Sequence, residues 1–137
     1  MSFLLDTDIL SDDTKPRPSG LVNAWIEANE TRIYTSAITI GELRRGIERL
    51  SLGARRTRLE QWLEGLLVRM DGHILAYNTR AAETWGEMMA DLERKGHKLP
   101  LTDSFIAAIA KRHNLTLVTR NTADFKHSGV KVLNPFE

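Results

Sequence analysis

Short runs of consecutive apolar residues alternate with stretches of helical periodicity along the whole chain, and few folds accept that order. Phe3-Leu4-Leu5, Arg32 to Thr35, Ile74 to Tyr77, Leu115 to Val118 and Val130 to Leu133 read as about five short strands. Helical patterns lie between them. Leu21 to Asn29 is one, and Ile38 to Leu50, with Leu43, Ile47 and Leu50 on one face, is a second. After a turn at Gly53, Leu59, Trp62, Leu63, Leu66, Leu67 and Met70 recur at spacings of three and four. These two successive helices predict a hairpin. Thr79 to Arg94 is helical and stopped by Gly96, and the largely apolar Leu101 to His113 predicts a sandwiched helix. Strands that alternate with helices build a parallel sheet by right-handed crossovers, so the expected fold is three-layer α/β.

Composition narrows what such a fold can carry. The 137 residues suit one domain, 1–137, because no repeat or linker divides them and Lys15-Pro16-Arg17-Pro18-Ser19-Gly20 is no longer than an ordinary loop. With 42% hydrophobic and 27% charged residues, the chain is neither disordered nor fibrous. It has no cysteine, which excludes disulfides, thiolate metal sites and thiol nucleophiles. His73, His97, His113 and His127 show no ligand spacing. Any metal must therefore be held by oxygen or imidazole. The longest apolar run, Phe105 to Ala110, is far too short to span a bilayer, and the amino terminus reaches Asp6 before any signal-peptide core could form. A cytoplasmic location without membrane contact is expected.

Ligands of open parallel sheets bind beyond the carboxyl ends of the strands. Asp6 follows the first strand, Glu42 falls in the first turn of the helix after Arg32 to Thr35, and Asp124 follows Leu115 to Val118 by a short loop. Asp103 occupies the first turn of the apolar helix. Each has an ordinary explanation, since carboxylates complement helix amino termini, and Thr39-Ile40-Gly41-Glu42 has the form of a capping box. Their convergence is harder to dismiss. Two carboxylates about 5 Å apart repel by roughly 3 kcal/mol at an effective dielectric near 20. A fold that gathers several must protonate them or bind a cation, and an all-oxygen donor set selects Mg²⁺, with Mn²⁺ as the alternative. A strand followed by Asp6-Thr7-Asp8 also has the look of a haloacid-dehalogenase-type phosphatase. That motif calls for Thr or Val after the second Asp, however, and Ile9-Leu10 follow here.

Four segments together resemble the PIN-domain nucleases, specifically the VapC and FitB-like toxins of bacterial toxin–antitoxin modules. They are Leu4 to Ser11, Thr39 to Ile47, Leu99 to Ala108 and Val118 to Phe125. The resemblance implies a Mg²⁺-dependent endoribonuclease that hydrolyses RNA phosphodiester bonds with a metal-activated water. Asp6, Glu42, Asp103 and Asp124 would form its acidic pocket, Asp6 and Asp103 ligating directly and Glu42 and Asp124 directly or through water. Thr7, Asp8 and Asn121 would support them; Asp8 stands where related sequences often carry Asn. The resemblance also implies a small cognate antitoxin, a homodimer formed through helical surfaces, and a toxin–antitoxin hetero-oligomer.

Net charge is only 19 − 18 = +1, yet six arginines stand between Arg44 and Arg58 against one acid, Glu48. Such a stripe suits an RNA backbone or merely the solvated face of a hairpin, and Arg44 and Arg45, within a turn of Glu42, are the better candidates for RNA contact. Trp25, Trp62 and Trp85 fall at helical apolar positions and are expected in packing. The rival to a nuclease is a non-catalytic PIN-like module that binds RNA or protein.

Overall fold

The computed structural model describes every residue from Met1 to Glu137. Five parallel strands form one sheet: β1 (Phe3–Leu5), β2 (Ile33–Ser36), β3 (Ile74–Leu75), β4 (Thr116–Val118) and β5 (Val132–Leu133), in the spatial order β3-β2-β1-β4-β5. Six helices connect them: α1 (Thr7–Ser11), α2 (Gly20–Ala28), α3 (Ala37–Glu48), α4 (Ala54–Arg69), α5 (Thr79–Arg94) and α6 (Leu101–Arg112). The expected α/β architecture is therefore present.

Strand periodicity sends alternate residues of β1 into two cores. Leu4 packs with Leu117 and with the apolar sides of α5 and α6, whereas Phe3 and Leu5 pack with Val22, Leu43, Ile47, Leu63 and Leu66 from α2, α3 and α4. Helix α6 is the sandwiched one: Ser104 and every residue from Ile106 to Ala110 are buried. The hairpin of α3 and α4 closes through Leu43, Ile47, Leu63 and Leu66 against the sheet, while Leu50 lies in the turn outside that core. Trp25, Trp62 and Trp85 are partly buried against the two cores, as expected of packing residues.

Helix ends are set by local chemistry. Helix α5 stops at a Schellman motif in which Gly96 adopts φ +74°, its N–H donates to Glu93 O and the N–H of His97 donates to Leu92 O. Helix α6 ends the same way with Asn114 in the left-handed region, φ 53°. Helix α1 was not foreseen; its five residues are too few to show a period.

Topology decides where the site lies. From β1 the chain first runs outward through β2 to β3, then returns to place β4 on the other side of β1. The sheet therefore switches direction between β1 and β4, where a parallel sheet leaves a crevice beyond its carboxyl ends.

Candidate active site

Asp6 sits at that switch point. Its backbone N–H donates to Val118 O (2.9 Å), continuing the β1–β4 pairing by one step. Its side chain caps α1: Oδ1 accepts from the Thr7 N–H at 2.8 Å, and Oδ2 accepts from the Thr119 hydroxyl at 2.9 Å. Asp6 is only 5% exposed. Burial, reinforced by the charge of Asp8, outweighs these two hydrogen bonds and raises the carboxyl from 3.8 to about 7.

Asp103, in the first turn of α6, is raised to about 6, first by burial and then by Asp124, Glu42 and Asp8. Asp103 in turn adds to the upward pressure on Asp6. Of the four predicted acids, Asp6, Glu42 and Asp124 therefore each lie within electrostatic reach of Asp103, and Asp8 is a fifth that reaches Asp6 and Asp103. Asp8 is half-buried and also raised, chiefly by burial. Its Oδ2 accepts from the Arg120 N–H at 2.9 Å, while its Oδ1 is buried without any hydrogen-bond partner.

Glu42 requires a correction. Helix α3 starts directly from the last residue of β2, with Ser36 as its cap: the Ser36 hydroxyl accepts from the Thr39 N–H at 3.0 Å. Glu42 is thus in the second turn, and Thr39 to Glu42 is not a capping box. Its carboxylate instead accepts from the Thr7 hydroxyl, tying α3 to α1 across the sheet edge. The ordinary explanation of this acid as a cap does not apply.

Asp124 lies in a 3-10 turn, Thr122–Phe125, and is exposed. Asn121 stands at the start of that turn; its backbone N–H donates to the Thr119 hydroxyl oxygen at 3.1 Å and its side chain makes no hydrogen bond. Thr119 is the residue sequence reasoning missed. It is fully buried, joins Asp6 to the 121 turn and immediately follows a strand, the position from which the acids themselves were picked.

The arginine stripe is partly neutralised. Glu48 pairs with Arg44 at 3.7 Å and also with Arg56, and Arg56 bonds the Leu50 carbonyl as well, so this part of the hairpin is latched. Arg45 is exposed on α3.

No three acidic or imidazole side chains converge closely enough to cage an ion. Magnesium does not need such a cage: it keeps several waters and takes one or two carboxylates plus substrate phosphate. The donors present are carboxylate and hydroxyl oxygens, two of the carboxyls are raised by proximity and burial, and one carboxylate oxygen is buried without a partner. That chemistry fits a hard divalent cation.

Comparison with known proteins places these observations. The PIN domain family model matches residues 3–130. The chain is 36% identical to VapC ribonuclease Y4jK of Sinorhizobium fredii, with 98% of each protein covered. Among solved structures it is similar to FitAcB from Neisseria gonorrhoeae, at 34% identity and TM-score 0.93 over 98% of this chain and 99% of that one. It is also similar to a chain of a toxin-antitoxin complex from Klebsiella pneumoniae, at 29% identity and TM-score 0.74 over 99% of both chains. The phosphatase reading of Asp6-Thr7-Asp8 falls away, since Asp8 lies on α1 and the whole length aligns elsewhere. With family model, relatives and sheet order in agreement over almost every residue, the chain belongs to the PIN-domain family.

Proposed function

We propose that this chain is a divalent-metal-dependent endoribonuclease, using Mg²⁺ or Mn²⁺, and the toxin of a toxin–antitoxin pair in the cytoplasm. The observation that carries the reading is the mutual repulsion of acids at the carboxyl edge of the sheet, Asp8, Glu42 and Asp124 acting on Asp103 and Asp8 and Asp103 on Asp6, which with burial holds Asp6 and Asp103 at about 7 and about 6. A structural role gains nothing from this repulsion. The ribonuclease activity named for the Sinorhizobium relative supports the same conclusion.

In this reading Asp6 and Asp103 are the direct metal ligands, with Asp8, Glu42 and Asp124 completing the negative field. A bound divalent cation supplies charge balance at the scissile phosphate and lowers the pKa of the attacking water. The chain supplies orientation. Thr119 fixes one Asp6 oxygen and the Thr7 N–H the other, so the carboxylate cannot rotate. Thr7 holds Glu42 through its hydroxyl. Asp103 in the first turn of α6 brings the amino end of that helix to this edge, where its dipole favours anions.

A small antitoxin as partner, within a toxin–antitoxin hetero-oligomer, is supported by the solved toxin-antitoxin complex to which the chain is similar. No helix is long and apolar enough to cross a membrane.

The purified chain tests the proposal directly. RNA is cleaved in millimolar Mg²⁺ and left intact in excess EDTA, with cleavage restored by Mn²⁺. Chelator-insensitive RNA binding without cleavage would instead identify a binding module.

A further inference from the structure

Arg120 is the cation closest to an aromatic ring in this molecule. None of the six ion pairs includes it, and its guanidinium makes no hydrogen bond. It is nevertheless held: its guanidinium carbon lies 3.8 Å from the centroid of the Phe136 ring. The ring is itself fixed, packing against the core beside β1, with its backbone N–H donating to Asn134 Oδ1 at 2.9 Å. Stacking engages the flat face of a guanidinium and leaves the N–H donors on its edge free, the presentation that suits a bidentate phosphate contact.

Its place is as informative as its posture. The Arg120 N–H is the donor to Asp8 at 2.9 Å, so this residue borders the acidic cluster through its own backbone. Lys15 approaches the same ring from another segment, Nζ lying 5.9 Å from the centroid and 3.4 Å from Asp12 Oδ1. The charges of Arg120 and Lys15 both reach the Asp8 carboxylate. An aromatic ring with two cations against it thus flanks a site of concentrated negative charge. A polyanion crossing that site needs positive charge beside the acids rather than among them.

We propose that Arg120, stacked on Phe136 and seconded by Lys15, is a substrate-positioning residue that grips a backbone phosphate of single-stranded RNA next to the one being cut. The inference rests on the ribonuclease reading and assigns that site its phosphate clamp. The clamp is a fork that must be held flat, so the roles of charge and geometry separate by substitution.

The test combines steady-state cleavage with fluorescence anisotropy of a labelled mixed-sequence RNA 12-mer, the latter in an Asp103→Asn background between 50 and 300 mM NaCl. Arg120→Ala is expected to raise KM and Kd roughly tenfold, with most of the loss in KM rather than kcat, and to lower the salt slope by about 1. Arg120→Lys keeps the salt slope and still loses several-fold in KM. Phe136→Leu, which retains the charge and removes the platform, falls between wild type and Arg120→Ala. Unchanged Kd and salt slope in folded Arg120→Ala, with wild type cutting RNA normally, overturns the clamp alone. A wild type that neither cuts nor binds RNA overturns the ribonuclease reading and the clamp with it.

Discussion

Acids on the flank of this molecule and acids at its sheet edge are the same chemical groups in opposite circumstances. Asp91, near the end of α5, has Lys95 at 3.1 Å and Arg94 at 3.7 Å, and the Lys95 hydrogen bond draws its carboxyl below the ordinary value. Asp103 starts the next helix and has only acids as charged neighbours, which with burial push it up to about 6. All six ion pairs fall on Asp12, Glu48, Glu60 or Asp91, and none on Asp6, Asp8, Glu42, Asp103 or Asp124. Of the 19 lysines and arginines, the side chains of Arg120 and Lys15 reach Asp8 by charge alone, and none forms an ion pair with an acid of the switch point. An exposed flank acid with a base beside it is held ionised; a buried acid among other acids holds its proton longer.

The largest effect that could break this contrast is catalytic. Asp103→Asn keeps the helix start and removes one charge from the cluster, and cleavage of RNA in Mg²⁺ is expected to fall roughly 10³-fold. Undiminished cleavage would leave the sheet-edge acids no more special than Asp91.

Next in size is a pH dependence of stability. In the fold Asp6 and Asp103 keep their protons until about 7 and about 6, whereas the unfolded carboxyls release them near 3.8. Between those limits the native state binds more protons, so the metal-free protein loses stability as pH rises from 3.8 and is at its lowest above about 7. Asp6 alone accounts for about 4 kcal/mol of this loss. Urea unfolding in EDTA at pH 5 and pH 8 measures it. Asp6→Asn removes most of the difference and yields a more stable, inactive protein, the usual exchange of stability for function. A stability that climbs over this range would contradict the repulsion.

The smallest effect sharpens the contrast from the other side. Asp91→Asn removes an exposed, paired carboxylate, and both RNA cleavage and the urea midpoint are expected to match wild type.

Much of this was legible in residue order. Helix α5 runs over Thr79–Arg94 as its periodicity and Gly96 dictate, and α6 differs by one residue at its carboxyl end. The two-residue strands β3 and β5 are shorter than their apolar runs suggest, because at the sheet margins pairing stops before apolarity does. Asp6, Glu42 and Asp124 stand out in the sequence because they come after strands and Asp103 because it opens the apolar helix, whereas Thr119, also after a strand, carries no charge to mark it. Asp8 is no more legible, because a spacing of two from Asp6 says nothing about which oxygen is buried unpaired. Glu42 was misread because Ser36 both ends β2 and caps α3, a junction without a loop that no local motif announces. The clamp of Arg120 on Phe136 joins residues sixteen apart through a ring set by the core, so only folding could reveal it.

The hydrogen bond from Thr119 to Asp6 spans 113 positions of chain. A ribosome making this protein releases Asp6 and Asp8 first, then Glu42 and Asp103, while the slot for β4 beside β1 is still vacant. Until Thr116–Val118 has emerged and docked, no nascent or truncated product can assemble the cutting edge. The order of strands thus works as a built-in delay, arming a destructive enzyme only once β4 has been made and has docked.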